Sequence, residues 1–480
     1  MTFNSFNFLL IFLPLTLICY YSVNNNHCRN IILIITSFIF YSWGNPLWAM
    51  ILMSSASVDF LISREINVSD SPLKRKFLLG ISLCFNLGLL AFFKYWDWLL
   101  ETLYLGYNGN SIIDLRAFKH STTIPAGISF YTFETISYTI DIYRRKFKPT
   151  NSFIDYLSFI SFFPHLVAGP ILRAADLLPQ LTRFRKKVSS RIVENGLFLV
   201  FWGLFKKIVF ADNLGHLVSR SKEQLWVPGA GFILAFAFMF QVYCDFSAYS
   251  DIARGCAKFF GIKIRRNFLT PYFCINPVDA FRRWHITLST WIRDYVYIPL
   301  SKRRQTVIRS AFNLILTMVL VGLWHGAGTF FILWGLYYGA MLVAYRIIPI
   351  DKYLIKYLGS CGKFLAIFIM FCLVVFSYTL FWSKTNKEFF YVAKSFFEMR
   401  YFITNFNAIP VAFYQLFYGA IIFILPIILT DAVGFKYKRE FVDMYKFASL
   451  PTKIMLYLIM FYGCLFFASR GVYDFIYFQF

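Results

Sequence analysis

The chain has 480 residues, among them 60 Phe, 31 Tyr and 11 Trp; hydrophobic residues make up 58% and charged ones only 15%, against about 25% charged in a typical soluble domain. That composition excludes a disordered chain, a disulfide-built secreted scaffold and an ordinary cytosolic enzyme, and it predicts an all-α, polytopic integral membrane protein. The net charge of +24, from 48 Lys and Arg against 24 Asp and Glu, belongs to inner-face loops and acidic lipid rather than to nucleic acid, because no basic domain stands apart from the apolar runs.

In chain order, the first apolar run, Phe6 to Tyr21, lacks a basic leader and a small-residue cleavage site, so it reads as a retained helix. Apolar runs follow at 31–62, with a bend expected around Gly44 and Pro46, and at 77–100, 124–143, 153–172, 193–216, 229–250, 310–321, 328–348, 363–383, 411–430 and 452–469. Together they predict about eleven transmembrane helices, with short re-entrant or interfacial helices between them. Residues 31–62 read as one crossing or as two, which leaves the side of the N-terminus open. Neither a repeat nor a long linker interrupts the chain, so one membrane domain is expected over 1–480. Residues 173–192 mix Leu and Phe with Arg183, Arg185, Lys186, Lys187 and Arg191, the pattern of a basic helix lying on the inner face.

The nine cysteines form no CxxC pair and several fall inside apolar runs, so they read as packing residues. Spacings typical of a metal site are missing, and none is predicted.

Polar residues inside apolar runs are the first functional candidates, because burying them in a membrane is costly. Gln241 to Asp251, QVYCDFSAYSD, carries Asp245 and Asp251 near the end of an apolar run. Asp245 and Tyr249, at i and i+4, share a helical face. These carboxylates read as functional groups, as caps of a helix end near water, or as partners of Arg254 and Arg265.

From Arg254 to Arg309 there are twelve basic residues, opposed only by Asp279 and Asp294. This stretch is expected on the cytoplasmic side, with Lys436, Lys438, Arg439, Lys446 and Lys453 facing the same way. The last helix then carries the end of the chain outward. Within the basic stretch, Phe281 to Leu300 holds Arg282, Arg283, Trp284, His285, Trp291, Arg293 and Asp294. Interface preference explains its tryptophans and arginines but not His285. A second Trp–His step, Trp324-His325, lies between Gly322 and Gly326, with no charged residue from Arg309 to Arg346. Glycines here would let another backbone or a thin substrate come close. A lone buried histidine is commonly a satisfied core residue; two Trp–His steps flanking one apolar hairpin point to function, since imidazole is the usual general base near neutral pH. GxSxG, HExxH, P-loop and GxGxxG patterns are absent.

The runs RRWHITLSTWIRDYVYIPL (282–300) and GLWHGA (322–327) resemble the two signature segments of membrane-bound O-acyltransferases, in particular the bacterial alginate O-acetyltransferase-like subgroup. PAGISFYTFETISYTIDIYRR (125–145), FFPHLVAGPILR (162–173), GLFKKIVFADNL (203–214), YCDFSAYSDIA (243–253) and FIYFQF (475–480) extend the likeness over the chain.

The resemblance implies a multi-pass protein of the bacterial inner membrane whose helices surround a central funnel. It implies an acyl group taken from a cytoplasmic donor, acetyl-CoA or an acyl carrier, as co-substrate, with no bound cofactor. The acceptor would be hydroxyls of an extracytoplasmic polysaccharide, served by a periplasmic or surface transferase partner. His325 matches the family's essential catalytic histidine and His285 its second histidine. Arg282, Arg283, Asp294, Asp245 and Trp324 are expected to bind donor or support the site. Tyr477 reads either as an acyl relay or as part of an aromatic packing plug. D-alanyl transfer to teichoic acid is the alternative within the family. A glycan or lipid transporter is the alternative outside it, although the two related halves expected of one are missing.

Overall fold

A computed structural model describes residues 1–106, 124–183, 188–223, 225, 228–301, 306–398, 411–468 and 475–476. Arg185 to Lys187, Lys302 to Arg304 and Tyr477 lie outside the described residues. The described chain is helical and contains no strand. Eight of its helices are long and apolar enough to cross a membrane: Pro46–Val68, Pro72–Leu103, Ala230–Phe259, Val307–His325, Thr329–Ile347, Ile350–Trp382, Phe413–Tyr437 and Leu450–Phe467. The expected bend at Gly44 and Pro46 separates the helices Asn26–Ser42 and Pro46–Val68.

Three expectations change. The run 153–172 is not one crossing but two short helices, Phe153–Ser161 and Phe163–Leu166, followed by irregular chain. Phe162 leaves helical geometry at φ −50°, ψ 104°; Pro164, two residues on, has no N–H to continue the preceding helix and starts a new one in its first turn. The basic helix expected over 173–192 ends at Thr182 and a new one begins at Ser190. Arg183 is extended there, at φ −77°, ψ 149°. The run 193–216 belongs to a longer helical stretch, Ser190 to Glu223, with a wide π-helical segment at Lys206–Ala211.

The chain divides into two compact units, one of residues 1–196 and 253–265, the other of 197–252 and 266–480. In the first, Asn26–Ser42, Pro46–Val68, Pro72–Gly106 and Ile128–Tyr143 pack together around polar seams. The Asp59 carboxylate accepts from Asn86 at 2.7 Å and from the Ser82 hydroxyl. Phe8, Phe12, Phe40 and Phe163 form an aromatic cluster with ring centroids 5.3–6.1 Å apart. In the second unit, Val307–His325 and Thr329–Ile347 form an antiparallel hairpin, and Thr329–Ile347 packs in turn on Ile350–Trp382. A Cβ on Gly322 would lie 2.1 Å from the Phe331 carbonyl oxygen, and one on Gly335 2.4 Å from that of Met318. The two backbones therefore touch, and only glycine permits it. That contact fixes the rotation of the helix that ends at His325.

Candidate active site

The first Trp–His step lies between two short helices, Pro277–Arg283 and Ile286–Ile292. Asn276 starts the first by accepting the Asp279 N–H at 2.8 Å, the usual side-chain cap of an unsatisfied helix donor. Trp284 is extended, and His285 turns the chain with φ 41°, ψ 55°. A left-handed backbone costs a residue with a Cβ roughly 1–3 kcal/mol and persists only where the surroundings impose it. Here the loop 267–269 imposes it. The Leu269 N–H donates to the Arg283 carbonyl at 3.0 Å, and the Ile286 N–H to the Asn267 carbonyl at 2.9 Å. The buried Asn267 side chain accepts the Thr287 hydroxyl at 2.6 Å and donates to Ser250 at 3.1 Å.

The second Trp–His step ends the helix Val307–His325, and Gly326 continues in extended conformation. The Trp324 ring serves both steps, 5.8 Å from the His285 ring and 4.8 Å from that of His325. Phe246 packs edge-on to His285 at 4.7 Å, while Trp334 and Phe381 pack on His325 at 5.1 and 5.2 Å. The chain thus brings the two histidines to one aromatic chamber from positions forty residues apart. His285 lies outside the eight candidate spans, and burial pushes its imidazole down to about 3. At neutral pH it is an uncharged donor and acceptor rather than a cation.

Both histidines line two adjoining cavities, of about 60 and about 310 Å³. The larger adds hydroxyls from Ser289, Thr290 and Thr317. Through Arg282, Arg293, Tyr297, Leu314 and Leu342, which line both, it adjoins a basin of about 1140 Å³. Arg282, Arg283, Arg293, Arg346, Lys352, Lys363, Lys436 and Lys438 line the basin, with Asp279 and Asp351 as its carboxylates. The two basic segments expected on one side of the membrane thus meet around one basin. Arg283 is fixed there: its Nε donates to Asp279 at 2.9 Å, a terminal nitrogen donates to the Thr270 hydroxyl at 3.0 Å, and the guanidinium lies 5.4 Å from the Phe435 ring centre. Phe273 stacks on Phe435 at 5.2 Å, and the Lys363 ammonium lies 5.0 Å from the same ring.

Of the other expected residues, Trp324 is in the chamber wall by its ring contacts and Arg282 lines both chamber and basin. Asp294 pairs with its neighbour Arg293 at 2.8 Å and is not among the described residues that line the cavities. Asp245 does not line them either, and it is not a water-side helix end. It is buried in mid-helix and pairs with Lys207 at 2.7 Å, while Asp251 pairs with Lys206 at 2.8 Å. Of the cations expected for them, Arg265 instead meets Asp176 at 2.9 Å. The sequence reading missed Asn267, Phe246, Trp334, Phe381, Arg346, Lys352 and Lys363. The aromatics sit in a chain where aromatic residues are common, so only the fold singles them out. Arg346 and Lys352 flank helix ends and Lys363 follows the break at Gly359, where a snorkelling anchor has the same signature.

The family model of MBOAT, the membrane-bound O-acyltransferase family, matches residues 115–380, a range that includes both histidines. The chain is 36% identical over 359 residues to a probable alginate O-acetylase of Pseudomonas putida, covering 73% of this chain and 72% of the relative. It is 33% identical over 381 residues to a peptidoglycan O-acetyltransferase of Helicobacter pylori, covering 72% and 70%. A teichoic acid D-alanyltransferase of Bacillus subtilis is 27% identical over 270 residues, covering 54% and 68%. With eight helices able to span a membrane and a match of this extent, the chain belongs to the membrane-bound O-acyltransferase family and is an integral membrane acyltransferase.

Proposed function

We propose that this protein moves acetyl groups from acetyl-CoA, bound on the cytoplasmic side, to hydroxyls of an extracytoplasmic polysaccharide, with a separate transferase completing delivery. The observation that carries this reading is the series of cavities from basic basin to aromatic chamber to histidine pair. Eight cations suit the phosphates of the donor. The Phe273–Phe435 pair, with Lys363 and Arg283 beside it, suits a flat heteroaromatic base. The slender pantetheine arm fits the 310 Å³ chamber, which would bring the thioester to the histidines.

In this reading His325 takes the proton of the acceptor hydroxyl as its oxygen attacks the thioester carbonyl. The tetrahedral adduct collapses with cleavage of the carbon–sulfur bond, and the thiolate leaves with the proton held by His325. One ester forms for each thiol released. His285, neutral and held by its strained turn, donates a hydrogen bond to the carbonyl oxygen, where charge develops. Tyr477 is the proposed first acceptor, a phenol that carries the acetyl group onward and splits one transfer into two. The end of the chain would face outward, as the basic segments suggest.

Purified protein in liposomes, given acetyl-labelled acetyl-CoA and a hydroxyl-bearing polysaccharide with its transferase, tests this. Label should appear in base-labile ester, with an equal amount of free thiol. Donor that stays intact in the presence of active protein would overturn the proposal. The teichoic acid relative supports a second reading, D-alanyl transfer from a carrier protein, because a basic basin also suits an acidic carrier. Turnover of D-alanyl carrier but not of acetyl-CoA would select it.

A further inference from the structure

Five ionisable side chains of the second unit are gathered away from the chamber. The Lys207 ammonium donates to Asp245 at 2.7 Å and meets Asp212 at 2.9 Å. Beside it, Lys206 donates to Asp251 and to the Ser247 hydroxyl, both at 2.8 Å. Into this cluster runs the segment Phe475-Ile476. The Ile476 N–H donates to the second oxygen of Asp245 at 2.7 Å. The Phe475 ring centre lies 4.6 Å from the Lys207 ammonium and 5.0 Å, edge-on, from the Tyr249 ring. Both residues of the segment are buried.

The helix Ala230–Phe259 presents this dock and the chamber wall on different faces. Asp245 and Tyr249, one turn apart, hold the segment. Val242 and Phe246, also one turn apart, line the histidine chamber. The two pairs are centred about 60° apart around one helix, on neighbouring faces. Apolar packing alone would bury an aromatic segment without fixing where it sits along its own axis. A buried ion pair adds little to stability compared with apolar side chains of the same size. A carboxylate with one oxygen on an ammonium and the other on a single backbone N–H does fix that position, to within a hydrogen bond.

We infer that Asp245, Lys207 and Asp212 form a docking site for an aromatic segment, filled here by Phe475-Ile476, and that Asp245 and Lys207 are positioning residues for acyl transfer that act through the seated segment. The inference rests on the acyltransferase reading of the chamber but not on the relay role of Tyr477.

The test uses protein in liposomes, with donor binding and acyl transfer measured separately. Removing residues 475–480 should lower transfer at least tenfold while the donor KM stays within twofold. A hexapeptide FIYFQF added in trans should restore transfer with saturation. Asp245→Asn in that background should raise the peptide concentration needed at least tenfold. In the full-length chain, Ile476→Pro removes the backbone N–H that donates to Asp245 and should reproduce the loss. The peptide FIFFQF restoring transfer supports the dock while ruling out the relay. A truncated protein that binds donor but is not rescued by saturating peptide overturns the inference, as does a wild-type rate for Ile476→Pro. Should the intact protein fail to turn over any acyl donor, the proposed function fails, which is a separate result.

Discussion

His165 and His285 are almost equally buried, at 1% and 2% exposure, and they are built for different purposes. His165, in the first unit, has polar partners on both ring nitrogens. Its Nδ1 lies 3.1 Å from the Glu134 carboxylate and its Nε2 3.0 Å from the Phe159 carbonyl oxygen. Glu134 in turn accepts the Leu172 N–H at 2.7 Å. This imidazole is a strut that ties three segments together. His285, in the second unit, sits on a left-handed backbone, meets aromatic edges and faces a cavity shared with His325. A buried histidine is thus read by what its ring faces. A carboxylate and a carbonyl lock His165, whereas His285 lies among aromatic rings at the wall of a cavity.

The largest effect is expected at His325→Ala. Losing a general base should lower acyl transfer by about 10²- to 10⁴-fold, with membrane insertion and donor binding retained. A rate within threefold of wild type would remove His325 from the chemistry. Next, Glu134→Ala should act on the fold. It removes the oxygen that faces His165 Nδ1 and accepts the Leu172 N–H, and a buried polar group that loses its partner costs about 1–3 kcal/mol. Thermal unfolding in detergent should fall sharply, with the surviving folded fraction transferring at the normal rate. Normal unfolding with lost turnover would place His165 among the active groups after all.

Asn267→Ala sharpens the contrast from the other side. It removes the Thr287 and Ser250 bonds that hold the His285 turn, and a misplaced imidazole should lower kcat by roughly tenfold with little change in unfolding. The smallest effect is expected in the basin. Arg283→Gln should raise the donor KM several-fold with kcat within twofold, the pattern of lost uniform binding. A collapsed kcat at constant KM would put the guanidinium at the reacting atoms.

Much of the second unit was legible. The hairpin that ends at His325 shows as two apolar runs around a glycine-flanked Trp–His step, and only hydrophobicity and glycine are needed to see it. The two signature runs pointed to the histidines that the fold then brings to one chamber. Other features were hidden for physical reasons. Lys206 and Lys207 look like a basic helix edge, and beyond the nearby Asp212 their partners Asp251 and Asp245 lie some forty residues on. Nothing local announces a pairing that only packing creates. The break at Phe162 follows from Pro164, yet the hydropathy of 153–172 is continuous and masks it. Asn267 gave no signal because its role is to hold someone else's backbone. The aromatic walls of the chamber were invisible for the opposite reason, since aromatics are everywhere in this chain.

In the proposed reaction one continuous path joins the basic basin to the histidines. Leu314 and Leu342 line both the basin and the chamber, so they form the neck between them. The most direct measurement is donor binding and acyl transfer in Leu342→Trp, with Leu314→Trp as an independent block. The account predicts that either indole keeps donor binding within a few-fold of wild type and reduces transfer at least a hundredfold, while Leu342→Ala transfers normally. Transfer at the wild-type rate through a neck filled by tryptophan, in protein that still binds donor, would contradict it.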